Sequence, residues 1–290
     1  MQLELQRKEL KSRVSRYVIP QVLMILLLNF IWIVNESKPS GFWLHLAFIL
    51  LPIVASYMFT VEYLNKSYVK NFKVNIIEPL IRFVEPSLVY KEKKFVSKET
   101  FLASKIESSK ITDYSGNDFV YGNIDGVNIK FSELSVEGGS DGEDLLFWGL
   151  FMVAEFPKHF HAHTIVYSKK GHIGNHKAPG KEYKSIKMDS PEFNEYFAVF
   201  STDIIEARYI LSHTLMERII AYYQSMEYPI SISFVDGNIY IATNCGVILE
   251  PTLQRSLLDF KIAKSYAQTL HFAIRVVEAL KLDLKLWSKY

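Results

Sequence analysis

The chain is short of cysteine, glycine and proline, and it carries no excess of charge of either sign. Cysteine occurs once, at Cys245. A single thiol cannot close an intramolecular disulfide, which suits a reducing compartment, and it rules out zinc sites built from several cysteines. Cys245 falls at the end of a strand-like run with no histidine beside it. A buried, inert thiol is expected there rather than a nucleophile. Only 13 glycines and 10 prolines occur in 290 residues, so low-complexity sequence is excluded over most of the chain. No phosphate-cradling glycine loop and no Gly-x-Ser-x-Gly elbow is present. Lys plus Arg is 33 against 31 for Asp plus Glu, a net charge of +2. That balance argues against a nucleic-acid binder, which needs a concentrated cationic face. With no catalytic constellation in the chain, a non-enzymatic role without a cofactor is expected.

What the sequence has in quantity is apolar residues. Tyr17 to Val34 and Gly41 to Val61 are both uncharged. At 1.5 Å per residue each run spans ~27–32 Å, the thickness of a hydrocarbon core. Only Asn35 to Ser40 joins them, which forces an antiparallel hairpin. Arg7, Lys8, Lys11, Arg13 and Arg16 precede the first run, and Lys66, Lys70 and Lys73 follow the second, whereas the link holds only Lys38. The positive-inside rule then places both termini in the cytoplasm. Trp32 and Trp43 fall at one interface, and Tyr17, Tyr57 and Tyr63 near the other. Pro20 is expected in the first turn of its helix and Pro52 at a kink. Gln21, Asn29, His45 and Ser56 are the polar residues inside the runs. Counting depth from the loop pairs Asn29 with His45 and Gln21 with Ser56. Lys66, Lys70 and Lys73 are candidates for anionic lipid headgroups, at ~1 kcal/mol each.

Beyond the runs, three parts are expected: the hairpin to residue 61, a helical linker over 62–110, and an α+β domain over 111–290. Val61, Leu64, Tyr68, Phe72, Ile76, Leu80 and Phe83 continue an apolar helical stripe to breaks at Pro79 and Pro86. A further helix is expected over Lys91 to Lys110. Strands are expected at Phe119–Ile124, Val127–Ser132, Leu145–Phe156, Thr164–Tyr167 and Phe193–Phe200, with a long basic loop over Lys169–Lys184. Thr202 or Asp203 is expected to cap one helix reaching Ser225. Ile230–Phe234 and Ile239–Ile241 form a hairpin around Asp236-Gly237, as Asp125-Gly126 does earlier. Leu257 opens a final amphipathic helix with Ile262, Tyr266, Leu270, Ile274, Val277 and Leu284 on its apolar face. Short turns between strands, with helices among them, predict a mainly antiparallel sheet with flanking helices.

The segment FNEYFAVFSTDIIEARYILSHTLMERI (Phe193 to Ile219), followed by ISISFVDGNIYIA (Ile230 to Ala242), resembles the bacterial family known as domain of unknown function 3137. Val74 to Tyr90, Asp118 to Leu134 and Phe147 to Tyr167 agree with it in order. The run Asp203, Glu206, Ala207, Arg208, Tyr209 with Leu215 to Arg218 is the most specific part. The resemblance implies N-terminal membrane spans and a possible LemA-type membrane protein as partner. It implies no activity and no catalytic residues.

Two candidate sites remain. Asp203, Glu206, Arg208, Glu217 and Arg218 are expected on one helix, with Asp203 and Glu206 answering Arg208 and the helix N-terminus. They form either a partner surface or a set of caps and ion pairs. His159, His161 and His163 alternate and are the weak metal candidates. On a regular strand they would share one face, ~6.5–7 Å apart. Pro157 argues for a turn instead, and no carboxylate lies among them to orient the rings, so a functional metal site is not expected. The reading that follows is a membrane-anchored cytoplasmic binding or scaffold module. A metal-dependent enzyme using the histidines and an oligomeric, channel-like membrane effector are the alternatives.

Overall fold

The computed structural model describes residues 2–35, 42–139, 144–155, 161–170, 178–226, 228–246, 249–251, 256 and 271, with the side chains of residues 29, 31–50, 56, 62–64 and 226 outside that description. The expected helix from Leu257 (save position 271), His159 and residues 171–177 of the basic loop lie outside the described residues, as do the side chains of Asn29, His45 and Ser56. The chain divides into two compact units, the first reaching Ile77 and taking in Glu250, the second running from Glu78 to Leu249. The stretch 62–110 is shared between them.

The first unit is a helical hairpin. Helix α1 spans Gln2–Asn35 and α2 spans Phe42–Phe72. Asn71 donates to Gln6 at 3.3 Å and Thr60 to Gln21 at 3.4 Å, which fixes the pair as antiparallel. α1 starts far earlier than the apolar run does, so Pro20 lies inside it and not in its first turn. The basic flank is helical because its charges have partners: Arg7 grips Glu4 through two bonds of 3.0 and 2.7 Å, and Arg13 reaches Glu9 at 2.7 Å. Among the described residues no helix is long and apolar enough to cross a membrane. The expected crossing therefore finds no support there; much of both apolar runs falls among side chains outside the description.

After α2 the backbone widens into a π-turn over Lys73–Ile77 and then resumes as α3, Glu78–Val84. Pro79 explains the widening. In an α-helix its ring would clash with the Asn75 carbonyl, and it brings no N–H to bond there.

The second unit is built on one sheet of nine strands: β1 Val89–Lys91, β2 Ile111–Ile124, β3 Val127–Gly138, β4 Asp144–Glu155, β5 Thr164–Ser168, β6 Lys184–Ile186, β7 Phe197–Ser201, β8 Ile230–Val235 and β9 Asn238–Thr243. Their order across the sheet is β1-β2-β3-β4-β9-β8-β5-β7-β6, and each of the eight neighbouring pairs is antiparallel. The mainly antiparallel α+β architecture read from the sequence is the one observed. Both tight turns form as their residues dictate. Asp125 and Gly126 have φ of 47° and 90°, and Asp236 and Gly237 have 50° and 71°. Two successive positive φ values make the turn whose twist suits a hairpin. At Gly149 in β4, an added Cβ would stand 2.1 Å from the Thr243 carbonyl of β9, so only glycine lets these two central strands close up.

The expected helix over Lys91–Lys110 is not formed. Only α4, Lys98–Ala103, is helical; Ser97 caps its start and Lys105, at φ 51°, lies just beyond its end. The segment is held against the sheet by hydroxyls instead. Val96 N donates to Ser132 Oγ at 3.0 Å and Tyr114 Oη to the Val96 carbonyl at 2.8 Å. Ser233 Oγ donates to the Ser104 carbonyl at 2.6 Å and Tyr167 Oη to the Ile106 carbonyl at 3.0 Å. Phe101 caps this layer, with ring centroids 5.0 Å from Phe151 and 5.9 Å from Phe147. The opposite face carries α5, Pro191–Tyr196, and α7, His213–Met226, where Phe193 and Tyr223 pack on Phe197 at 4.8 and 5.3 Å. The expected strand over Phe193–Phe200 thus begins as helix α5, because Ser190 caps it and Pro191 opens it.

Candidate functional site

The residues expected on a single helix after β7 occupy two. Asp203 caps α6, Ile204–Ile210, by accepting from the N–H groups of Ile205 and Glu206 at 2.7 and 3.0 Å. The helix stops at Leu211, and Ser212 starts α7 by accepting from Leu215 N at 3.3 Å. Asp203, Glu206 and Arg208 therefore lie on α6, while Glu217 and Arg218 lie on α7. Periodicity could not show the break, since Leu211 keeps the apolar stripe in step while Ser212 restarts the chain as a cap.

The expected pairing of Arg208 with Asp203 and Glu206 is replaced. Arg208 binds Asp189, with N···O distances of 2.9 and 3.2 Å, and the Glu206 carboxylate accepts from two backbone amides, His161 N at 2.9 Å and Ala162 N at 2.8 Å. One side chain thus fastens the entry to β5, 44 residues away in sequence from Ala162. Charge-assisted bonds of this kind are worth ~1.5–3 kcal/mol each when no better partner exists. Replacing Glu206 by Ala is expected to lower stability by about 2 kcal/mol, and Glu206→Gln by roughly half as much. Urea unfolding midpoints with amide exchange at positions 161 and 162 check this; unchanged protection in the alanine variant would refute it. On α7, His213 lies 3.3 Å from Glu217 on the solvent side.

Of the three histidines, His161 is exposed at a bend ahead of β5, and His163 is 4% exposed. The stretch turns before it enters the strand. His163 is bonded through both ring nitrogens. The Ser233 hydroxyl spends its proton on the Ser104 carbonyl, so toward His163 it accepts, and Nε2–H donates to it at 2.7 Å. Nδ1 is then bare and accepts from the Tyr183 hydroxyl. Burial, then the nearby Lys105 charge, lower the His163 pKa to about 4. Both nitrogens are committed, so this imidazole is not available to a metal. Among the described residues no three His, Cys, Asp or Glu side chains stand together as a metal site. Sequence spacing did not reveal this polar relay, because Ser104, Tyr183 and Ser233 come from three distant segments.

Cys245 follows β9. Its thiol donates to the Thr243 carbonyl at 3.3 Å, and burial raises its pKa to about 11, so it stays protonated and unreactive. In the first unit Lys66 and Lys70 are exposed, but Lys73 is buried and pairs with Glu250 at 3.2 Å. Lys73 is thus turned away from any headgroup. Gln21, which depth counting matched to Ser56, accepts from Thr60, one turn further along α2.

The fold defines an antiparallel α+β domain preceded by a helical hairpin. Residues 145–282 match the sequence model of the family described as "Protein of unknown function (DUF3137)", in agreement with the resemblance read from the sequence. The motif on α6 and the β8–β9 hairpin lie inside the match; the resembling pieces around Val74 to Tyr90 and Asp118 to Leu134 lie before it. No curated protein matches. Among solved structures, the mycobacterial trehalose monomycolate transport factor A, TtfA, is similar at a TM-score of 0.38 and 9% identity, covering 67% of this chain and 90% of that one. A likeness at that level bears no functional weight.

Proposed function

We propose that the chain is a non-enzymatic, membrane-anchored binding module that displays its sheet domain on the cytoplasmic face of a bacterial inner membrane. The observation that carries the reading is the inside-out character of the hairpin. Leu23, Met24, Leu27 and Leu28 of α1, with Leu51, Met58 and Phe59 of α2, are all exposed on its outer surface, while Gln21 turns inward to Thr60. Water would exact a heavy penalty for so much bare aliphatic surface, whereas lipid tails accept it and leave polar groups to pair between helices. Exposed Lys66 and Lys70 follow on the basic flank. The partner surface in this reading is α6, where Ile205 is 81% exposed and Tyr209 58% exposed beside the Arg208–Asp189 pair. An exposed apolar residue next to an arginine is the make-up of a protein-docking hot spot, and a membrane protein is the partner expected.

Three measurements test this reading. The chain is expected to stay in the pellet after alkaline carbonate extraction. A phosphatase reporter is expected to be inactive after Tyr290 and active when inserted after Lys38. Release by carbonate, or the reverse reporter pattern, sinks the anchor. A native-membrane pull-down is expected to yield a stoichiometric partner that Ile205→Asp loses; retention of that partner by the variant removes α6 from the interface.

A further inference from the structure

Among the described residues, one face of the sheet is covered only in part. Over β4 and β9 it lies beneath Phe101 and the rest of the α4 layer. Toward the β2–β3 turn the cover stops among the described residues, and the same face opens as a groove of 450 Å³ lined by Phe119, Tyr121, Asn123, Asn128, Lys130 and Val153. Register puts these side chains on one face, since Tyr121 lies opposite Lys130, and Lys130 opposite Val153. Its floor is an aromatic step: the Phe119 and Tyr121 rings are stacked at 5.4 Å and 27°, and Tyr121 is 40% exposed.

The groove's polar groups are sorted. Asn123 donates to Asn128 at 2.8 Å, and Asn128 donates to the Glu155 carboxylate at 2.7 Å. That row holds the one carboxylate of the rim in place through an amide. The Lys130 ammonium, on the same face, takes part in no ion pair or hydrogen bond among the described residues. Lys91 of β1 lies opposite Phe119 and adds a second exposed cation beside the rings. A concave, mainly apolar surface of this volume with one or two convergent charged groups has the make-up of a small-molecule site.

We propose that this groove binds a small amphiphilic anion, whose flat apolar body lies on Phe119 and Tyr121 and whose carboxylate or phosphate meets Lys130. The ring faces supply area and tolerate many shapes, while the ammonium selects the sign of charge. The site lies wholly within the second unit and does not depend on the membrane reading.

The test uses the full chain in detergent and 2-naphthoate as probe, with neutral 2-naphthamide as its uncharged match, titrated by saturation-transfer NMR against empty micelles. Naphthoate is expected to bind saturably and about tenfold more tightly than naphthamide, as a charge-assisted bond requires. Lys130→Met is expected to erase that difference, and Tyr121→Ser to weaken both probes about tenfold. Both side chains are partly solvated, so the variants are expected to keep the unfolding midpoint of the parent. Absence of saturable naphthoate binding, or binding that survives both substitutions unchanged, overturns the proposal.

Discussion

Replacing Phe151 by alanine is expected to cost about 3–5 kcal/mol of stability, the range for emptying an aromatic site in a packed core. Phe151 is wholly buried in β4 and meets Phe101 at 5.0 Å and Tyr240 at 6.1 Å. It is the point where the α4 layer and the centre of the sheet share one cluster. The residues that would have to collapse into the space are themselves held. Hydroxyl bonds from Tyr114, Tyr167, Ser132 and Ser233 keep the α4 segment where it is. A cavity that cannot close keeps its full penalty. At this domain size the change corresponds to a fall of roughly 10 °C in the unfolding midpoint. Phe83, 87% exposed at the end of α3, is the matched control, and its alanine variant is expected to stay within about 0.5 kcal/mol of the parent. Thermal melts of the two variants in one detergent decide the matter; equal midpoints would mean that Phe151 is not a core residue.

Acid is the second strong lever. His163 titrates at about 4 when folded, against 6.5 for an unperturbed imidazole. Above about pH 7 it is neutral in both states and contributes no pH dependence. As the pH falls below 6.5 the unfolded chain takes up a proton that the folded chain refuses, so stability declines. The decline levels off once the folded imidazole is protonated too, near pH 4. The whole loss amounts to about 3 kcal/mol, at ~1.4 kcal/mol per pH unit. Denaturant midpoints from pH 7.5 to 4.5 are expected to slope downward in the parent and to slope less in His163→Gln. Whatever that variant loses at neutral pH, the difference in slope belongs to the imidazole. Parallel slopes would refute the assignment.

Local chemistry explains which elements were legible. The β2–β3 and β8–β9 hairpins could be read because Asp125-Gly126 and Asp236-Gly237 state the turn and the alternation around them states the face. The central strand β4 could be read from its apolar run. Asp203 announces a cap by residue type alone. Other features are decided by partners far along the chain. Lys91–Lys110 carries a helical apolar spacing, yet four hydroxyls from β2, β3, β5 and β8 pull its backbone out of the helix. Glu206 looks like one half of a helical ion pair, and only the folded chain brings the amides of His161 and Ala162 to it. His163 looks like a ligand beside two other histidines, until Tyr183 and Ser233 arrive from β6's approach and β8. Sequence periodicity sees neighbours three or four residues away, and these contacts span tens of residues.

The two outermost strands, β1 and β6, are each three residues long, and a lysine stands at one end of each, Lys91 and Lys184. A sheet of nine strands would otherwise offer two long rows of unpaired amides to any extended chain. Three residues give too few rungs to template another strand, and a charged side chain on the rim opposes stacking of copies. Strand addition onto β1 or β6 is thereby disfavoured, which leaves helices and the faces of the sheet as the better surfaces for engagement. High protein concentration then carries less danger of edge-to-edge polymerisation through β1 or β6.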